Sequence, residues 1–356
     1  MSRPFTIRSG FGFEAVPAAD EAIHSAARRR LDSLTKPLGA LGSLEPLAAQ
    51  VCAVQRTLKP AIVRPVAVVF AADHGVADRG VSAYPRAVTG QMVQNFLAGG
   101  AAISVLARLQ GIELWIVDAG VDADCGSHPR LIDAKVRRGT RDFVEQCAMT
   151  PEECEQALRR GRAVIDQVIP AGGNTLLLGE MGIGNTAAAA LLMHGLTGIA
   201  LGDCVGRGTG LDDAGLERKR ATLAAAAARR ALPRDPVELL AEFGGYEIAM
   251  LVGALVAAAA RRMLIVVDGF TVTVAAALAA RIDGNVLGYC VFGHCSAEQA
   301  HRALLTYLEV QPLLDLGMRL GEGSGAAVAL SLVRAALGLF TDMATFEGAG
   351  VSEKST

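Results

Sequence analysis

Five short apolar runs each end in a glycine beside an acidic or other polar residue, and a helical stretch follows each one. Residues 65–70 run into Asp73-His74-Gly75, and residues 112–117 into Asp118-Ala119-Gly120. Residues 175–178 end in Gly179-Glu180-Met181-Gly182, 263–267 in Asp268-Gly269, and 286–292 in Gly293-His294-Cys295-Ser296. Strands that alternate with helices imply right-handed crossovers and a parallel sheet covered on both faces, an α/β fold. In open sheets of that kind the carboxyl ends of the strands border the ligand crevice, so all five tips are expected to face one cavity.

The rest of the chain fits around that sheet. Ile23, Ala26, Ala27, Leu31 and Leu34 recur at helical spacing, as do Leu41, Leu44, Leu47, Ala48 and Val51 after the break at Pro37 and Gly39. No strand pattern occurs before Arg64, so the first 60 residues read as a helical annex. Residues 121–163 are polar and irregular, with a helix start at Thr150-Pro151-Glu152-Glu153, and the small polar tail after Phe346 is expected to fray. Aromatic residues make up only 4% of the chain, which suits closely packed Ala- and Gly-rich helices on the sheet.

Composition excludes several classes. A formal charge of −2 lacks the basic excess of a nucleic-acid binder, so any anion site is local. The longest apolar stretch in this reading, 248–260, is short of a spanning helix and runs into Arg261-Arg262, which points to a buried helix and away from a membrane. The opening 21 residues lack a signal-peptide core. The seven cysteines have no C-x-x-C pair and read as reduced, mostly buried thiols of a cytoplasmic protein.

Residues 179–186, with three glycines before Asn185 and Thr186, allow two readings. One is an anion cradle in which backbone N–H groups and a helix dipole converge; the other is a tight turn capped by Asn185 or Thr186. The buried-strand exit and the embedded Glu180 favour the cradle. No Lys follows the glycines and no G-x-G-x-x-G occurs there, which argues against ATP and NAD. Glu322 lies between Gly321 and Gly323 at a second helix start. A cleft walled by Leu316 and Leu320 raises its pKa toward a general base's, whereas a helix N-terminus lowers it, and composition does not decide.

Tyr84, beside Pro85, either stacks on a planar ligand with Ser82 and Gln91 as hydrogen-bonding partners or is half-buried in a surface turn. The loop 206–213 with Arg218-Lys219-Arg220 is equally a phosphate clamp or a solvated helix face. Ser296 is either an N-cap or a phosphate ligand. His74 has no partner at metal-ligand spacing, and the absence of G-x-S-x-G removes a nucleophile-elbow hydrolase.

Taken together, residues 30–45, Ala72-Asp73-His74-Gly75, 81–85, 91–103, 179–186, 206–213, Asp268-Gly269-Phe270, Ser296-Ala297-Glu298 and 320–325 resemble the nicotinate-nucleotide–dimethylbenzimidazole phosphoribosyltransferase family of cobalamin lower-ligand synthesis. The matches run in order over nearly the whole chain. The resemblance implies a Rossmann-like sheet over 61–335, a small helical domain from 1–60 and 336–356, a homodimer, and no cofactor or metal. It implies nicotinate mononucleotide and a benzimidazole base as substrates. Glu322 matches the family's base, and Glu180 an acid near the ribose. Gly182, Gly184, Asn185, Lys219 and Ser296 fall on the nucleotide phosphate and ribose, and Ser82, Tyr84 and Gln91 on the benzimidazole. Cys295 departs from the Arg expected between His294 and Ser296, which puts an ionic contact there in doubt. The rival readings are a related transferase or hydrolase with another acceptor, and a non-catalytic nucleotide binder.

Overall fold

Six strands pair in parallel throughout, in the order β3-β2-β1-β4-β5-β6: β1 is Val66–Ala72, β2 Glu113–Gly120, β3 Leu131–Asp133, β4 Thr175–Met181, β5 Leu264–Val267 and β6 Cys290–Phe292. The computed structural model describes residues 13–352; residues 1–12 of the stretch read as lacking a signal core, and 353–356 of the polar tail, lie outside the described residues. All seven residues of β1 are buried, because a central parallel strand has a helix layer on each face. The strand order reverses between β1 and β4, and a doubly wound sheet opens its crevice there, beyond the carboxyl ends of the strands.

The helix layers explain the small-residue composition. Helix Tyr246–Ala260 is buried from Tyr246 to Ala259, as the sequence pattern implies, and crosses helix Pro151–Val168 backbone to backbone. A Cβ at Gly253 would lie 2.0 Å from the Leu158 carbonyl oxygen, and one at Gly161 2.0 Å from that of Met250. Pro151–Val168 starts at the expected place: Thr150 accepts from the Glu153 N–H while the Glu153 carboxylate accepts from the Thr150 N–H.

Helices Glu21–Ser33 and Leu44–Gln55 pack together, and the second lies on helix Ser324–Asp342. Arg30 donates to the carbonyls of Phe340 and Thr341, each at 3.0 Å, and Leu34 pairs antiparallel with Thr345. Thr345 also caps the short helix Phe346–Ala349, so this part of the tail expected to fray is a helical turn.

Two expectations are corrected. Of 286–292, only Cys290–Phe292 is strand; Gly284–Tyr289 is a 3-10 turn. Asp283 accepts from the Asn285 N–H and its carbonyl takes the Val286 N–H, which holds that turn against the apolar run's strand preference. Within 121–163 lies the edge strand β3, whose three residues are too few to register as a pattern. Val88–Gln110 and Ser324–Asp342 are long and apolar enough to cross a membrane by length and composition, which the reading of 248–260 as the longest apolar stretch did not weigh. The first is interrupted at Gly99-Gly100-Ala101, and the second buries Leu330, Val333, Leu337 and Phe340 among others.

Candidate active site

The tip of β4 sits at the reversal of the sheet. After Glu180 the chain turns through Gly182-Ile183-Gly184 into helix Asn185–Thr197, with Gly184 at φ 98° as its N-cap. Neither Asn185 nor Thr186 caps this helix. The Asn185 amide instead donates to the Glu180 carboxylate, and Thr186 Oγ1 accepts from Lys219 Nζ at 2.9 Å. The N–H of Ile183 goes to Thr89 Oγ1 at 3.1 Å and that of Asn185 to the Gly182 carbonyl. The turn is therefore braced by Thr89 of helix Val88–Ala98 and by Lys219, at the positive end of a helix dipole, which suits an anion.

Glu322 is held by its backbone. Gly321, Glu322 and Gly323 have φ of 83°, 64° and 86°, three left-handed residues in a row. For the glutamate this conformation costs about 1–2 kcal/mol. The turn stays because Asp268, at the tip of β5, accepts from the N–H groups of Gly323 at 3.1 Å and Ala326 at 3.0 Å. It also lies directly on β4: a Cβ at Gly179 would be 2.4 Å from the Glu322 carbonyl carbon.

The Glu322 side chain is 5% exposed and its Oε2 has no hydrogen-bond partner. Burial, then the neighbouring Asp268 charge, push its carboxyl up to about 7 against the lowering effect of the Ile103 N–H. The net shift is upward, as a general base requires, because burial outweighs the amide. The lowering N–H belongs to helix Ala102–Gln110, not to the helix Glu322 precedes. Of the two leucines expected to wall the cleft, Leu320 lines it and Leu316 does not; both are more than half exposed.

Glu180 is half-buried, and its carboxyl is pushed up to about 8 by burial, then by Asp268, Glu247 and Glu322, with the Asn185 bond opposing. A Cβ at Gly321 would lie 2.7 Å from Glu180 Oε1, so the two glycine-framed turns meet. Two buried histidines face these acids: His294 Nε2 is 3.7 Å from Asp268 Oδ1, and His74 Nε2 is 2.6 Å from Glu247 Oε1. The Glu322 charge is the smallest of the causes that raise Glu180.

This arrangement fixes a sign for stability against pH. Both carboxyls bind their protons more tightly when folded than the ordinary value of 4.5. Their stabilising contribution is complete below about pH 4.5 and is lost as pH rises through about 7 to 8. Glu322→Gln is expected to melt several degrees higher than the parent at pH 9, with the gap closing by pH 5. Thermal melts of both proteins across that range check it; a gap that does not change with pH contradicts the raised carboxyl.

The turns border a cleft of about 620 Å³, its mouth included, whose walls are residues of 180–186, Gly208-Thr209, Gly269–Thr271, His294, Ser296, Glu298 and 319–321. Of the residues singled out from sequence, Glu180, Gly182, Asn185 and Ser296 line it. Gly184 caps the helix behind its wall, and Glu322 follows the lining Gly321. Lys219 is fully buried behind Thr186 and also donates to the Gly206 carbonyl at 3.1 Å; burial lowers its ammonium to about 8, with Glu298 opposing. The basic run divides by face, because Arg218 is exposed and Arg220 pairs with Glu217.

Ser82 reaches the rim, its Oγ 3.3 Å from Thr209 Oγ1. Tyr84, 53% exposed, and Gln91, also exposed, are not brought into the cleft within one chain. His294 and Ser296 line the wall while the buried Cys295 between them does not, since alternate residues of an extended segment face opposite ways. The charges that act on Cys295 are Arg302 and Asp315, a surface pair. Cys295 itself therefore faces that side of the chain rather than the cleft.

Several site residues escaped sequence reading. Asp268 carried the same strand-tip signal as Glu180 but no chemistry was assigned to it. Arg319, a cleft cation three positions before Glu322, and Glu298, which accepts from the Gly208 N–H at 3.0 Å, gave no spacing signal. Among the described residues no three His, Cys, Asp or Glu side chains are grouped to hold a metal ion.

A helix-capped glycine turn facing two carboxyls of raised pKa, at the reversal of a doubly wound sheet, defines an enzyme cleft for an anionic substrate with a proton to move. The chain belongs to the nicotinate-nucleotide–dimethylbenzimidazole phosphoribosyltransferase family: a phosphoribosyltransferase family model matches residues 16–351. It is 54% identical over 343 residues to the protein of that name from Cupriavidus taiwanensis, covering 96% of this chain and 99% of that one. To the protein of that name from Dechloromonas aromatica it is 53% identical, covering 94% and 97%. The crystal structure of CobT from Thermus thermophilus superposes with a TM-score of 0.90 at 45% identity, covering 94% of this chain and all of that one.

Proposed function

We propose that this enzyme transfers the 5-phosphoribosyl group of nicotinate mononucleotide to 5,6-dimethylbenzimidazole, releasing nicotinate and forming α-ribazole 5′-phosphate for the cobalamin nucleotide loop. The observation that carries this reading is that Glu180 lines the cleft and abuts Gly321 of the turn that holds Glu322, beside the helix N-terminus at Gly184. Gly182, Gly184, Asn185, Lys219 and Ser296 are assigned to the nucleotide phosphate and ribose. Ser82, Tyr84 and Gln91 are assigned to the benzimidazole on the family resemblance, with the exposed Tyr84 and Gln91 supported by that alone. A homodimer, a cytoplasmic setting, and the division into 61–335 and a helical unit from 1–60 and 336–356 belong to the same reading. The pairing of Leu34 with Thr345 supports a unit built from both ends.

The azole nitrogen lone pair attacks the anomeric carbon as the bond to the pyridinium nitrogen breaks. That bond's electron pair returns to the ring, so nicotinate leaves neutral at nitrogen and needs no acid. The azole's other nitrogen gives its proton to the Glu322 carboxylate, so positive charge does not accumulate on the new base. Attack opposite nicotinate inverts the centre, turning a β-nucleotide into an α-riboside. Holding both substrates in one cleft supplies about 7 kcal/mol or more by converting a bimolecular encounter into an internal one.

Nicotinate release from nicotinate mononucleotide, measured with and without dimethylbenzimidazole and with the product weighed by mass spectrometry, tests the reading. Release is expected only with the base, together with the riboside phosphate. Equal release without base would make the enzyme a hydrolase, and calorimetric binding with no release a nucleotide sensor.

A further inference from the structure

Beyond β4 along the sheet, the cleft wall is made from the tips of β5 and β6, with Gly269 and Phe270 from one and His294 and Ser296 from the other. Behind both tips lies His301, fully buried in the first turn of helix Gln299–Tyr307. Its Nδ1 is 2.8 Å from the Ser296 nitrogen, whose N–H can only donate. Nδ1 is therefore the bare nitrogen and Nε2 carries the proton, which goes to Thr273 Oγ1 at 2.9 Å. Thr273 donates its own hydroxyl to the Gly269 carbonyl at 2.8 Å. Three hydrogen bonds thus run in one direction from the tip of β6 to the tip of β5. The imidazole also sets its edge against Phe270 and His294, with ring centroids 6.3 Å away in each case.

Ser296 shows what this chain accomplishes. Its hydroxyl oxygen accepts from the Glu298 N–H at 3.2 Å, and its N–H is spent on His301. The hydroxyl proton remains for an acceptor in the cleft, and a phosphate or ribose oxygen is such an acceptor. Its direction depends on where the Ser296 backbone is held.

We propose that His301 is a positioning residue for the nucleotide, fixing Ser296 against Gly269 through Thr273 so that the Ser296 hydroxyl meets the nucleotide's oxygens. This rests on the reading of the cleft as a nucleotide site. Burial, followed by the charges of His294 and Arg302, lowers the imidazole to about 3, so His301 stays neutral at neutral pH and the relay keeps its direction.

Single substitutions separate the bonds. His301→Asn leaves an acceptor near the place of Nδ1 but removes the donor to Thr273; Thr273→Val removes the same link from the other side, and Thr273→Ser retains it. His301→Asn and Thr273→Val are each expected to raise the KM and calorimetric Kd for nicotinate mononucleotide about tenfold, the scale of one lost hydrogen bond. The kcat should stay within about threefold, the double variant should be no worse than either single one, and Thr273→Ser should match the parent. Should His301→Asn fail to fold, Thr273→Val against Thr273→Ser decides alone. Nucleotide affinity unchanged in folded His301→Asn and Thr273→Val overturns the proposal, as does a hundredfold loss of kcat at unchanged KM. Calorimetry needs no turnover, so a parent that binds the nucleotide but fails the transfer assay counts against the proposed reaction and leaves this test standing.

Discussion

Glu322→Gln is expected to lower kcat by about a hundredfold to ten-thousandfold, the usual worth of a placed general base, while the Kd for nicotinate mononucleotide stays within about threefold. Glutamine keeps the length and shape of the side chain and inherits the left-handed backbone of the 321–323 turn unchanged. It cannot take a proton. The features assigned to the nucleotide, the turn at 182–185 and Lys219 behind it, are untouched, so binding survives. The parent's kcat/KM should rise with pH through about 7 as the Glu322 carboxyl ionises, and the variant should lack that limb. Steady-state rates from pH 5 to 9 measure both effects. Near-parental turnover in the variant would remove Glu322 from the role of base.

Gly179→Ala is expected to be nearly as damaging although it alters no polar atom. The new methyl would fall 2.4 Å from the Glu322 carbonyl carbon, 2.5 Å from its oxygen and 2.5 Å from the Gly323 nitrogen. These are backbone atoms, with no flexible side chain to swing aside. The 321–323 turn must lift off β4, which displaces the Glu322 carboxyl and strains the two N–H bonds Asp268 accepts from Gly323 and Ala326. Transfer should fall at least about a hundredfold, the scale of a misplaced catalytic group, with a stability loss of about 1–3 kcal/mol from overpacking. Gly338→Ala, with nothing within 4 Å of its new methyl, serves as the control and should leave rate and melting temperature near parental. A Gly179→Ala enzyme that works normally would mean the turn is free to shift without consequence for the chemistry.

The sequence disclosed the sheet because parallel strands buried on both faces are written as unbroken apolar runs, and β1 is the clearest of them. It disclosed Glu322 because the acid stands between two glycines at a helix start, and Glu180 because it closes an apolar run just ahead of Gly182 and Gly184. The edge strand β3, three residues long, stayed hidden, and β6 was read too long because Asp283 holds 284–289 in a 3-10 turn. The burial of Glu322 could not be read either. Leu316 and Leu320 are near it in the chain yet exposed, whereas Gly179 and Ile103, far off in sequence, come to rest beside it. Arg319 reaches the cleft wall and His301 reaches Ser296 and Thr273 only by folding, and the spacing of residues does not encode such meetings.

Helix Ser324–Asp342 carries Glu322 just ahead of its first turn, and near its far end offers the carbonyls of Phe340 and Thr341 to Arg30. At 1.5 Å per residue it is a strut about 28 Å long joining helix Glu21–Ser33 to the turn that holds Glu322. Loss of the Arg30 bonds at one end of that strut is therefore expected to disturb the 321–323 turn at the other, so that Arg30→Ala lowers turnover although Arg30 lines no part of the cleft.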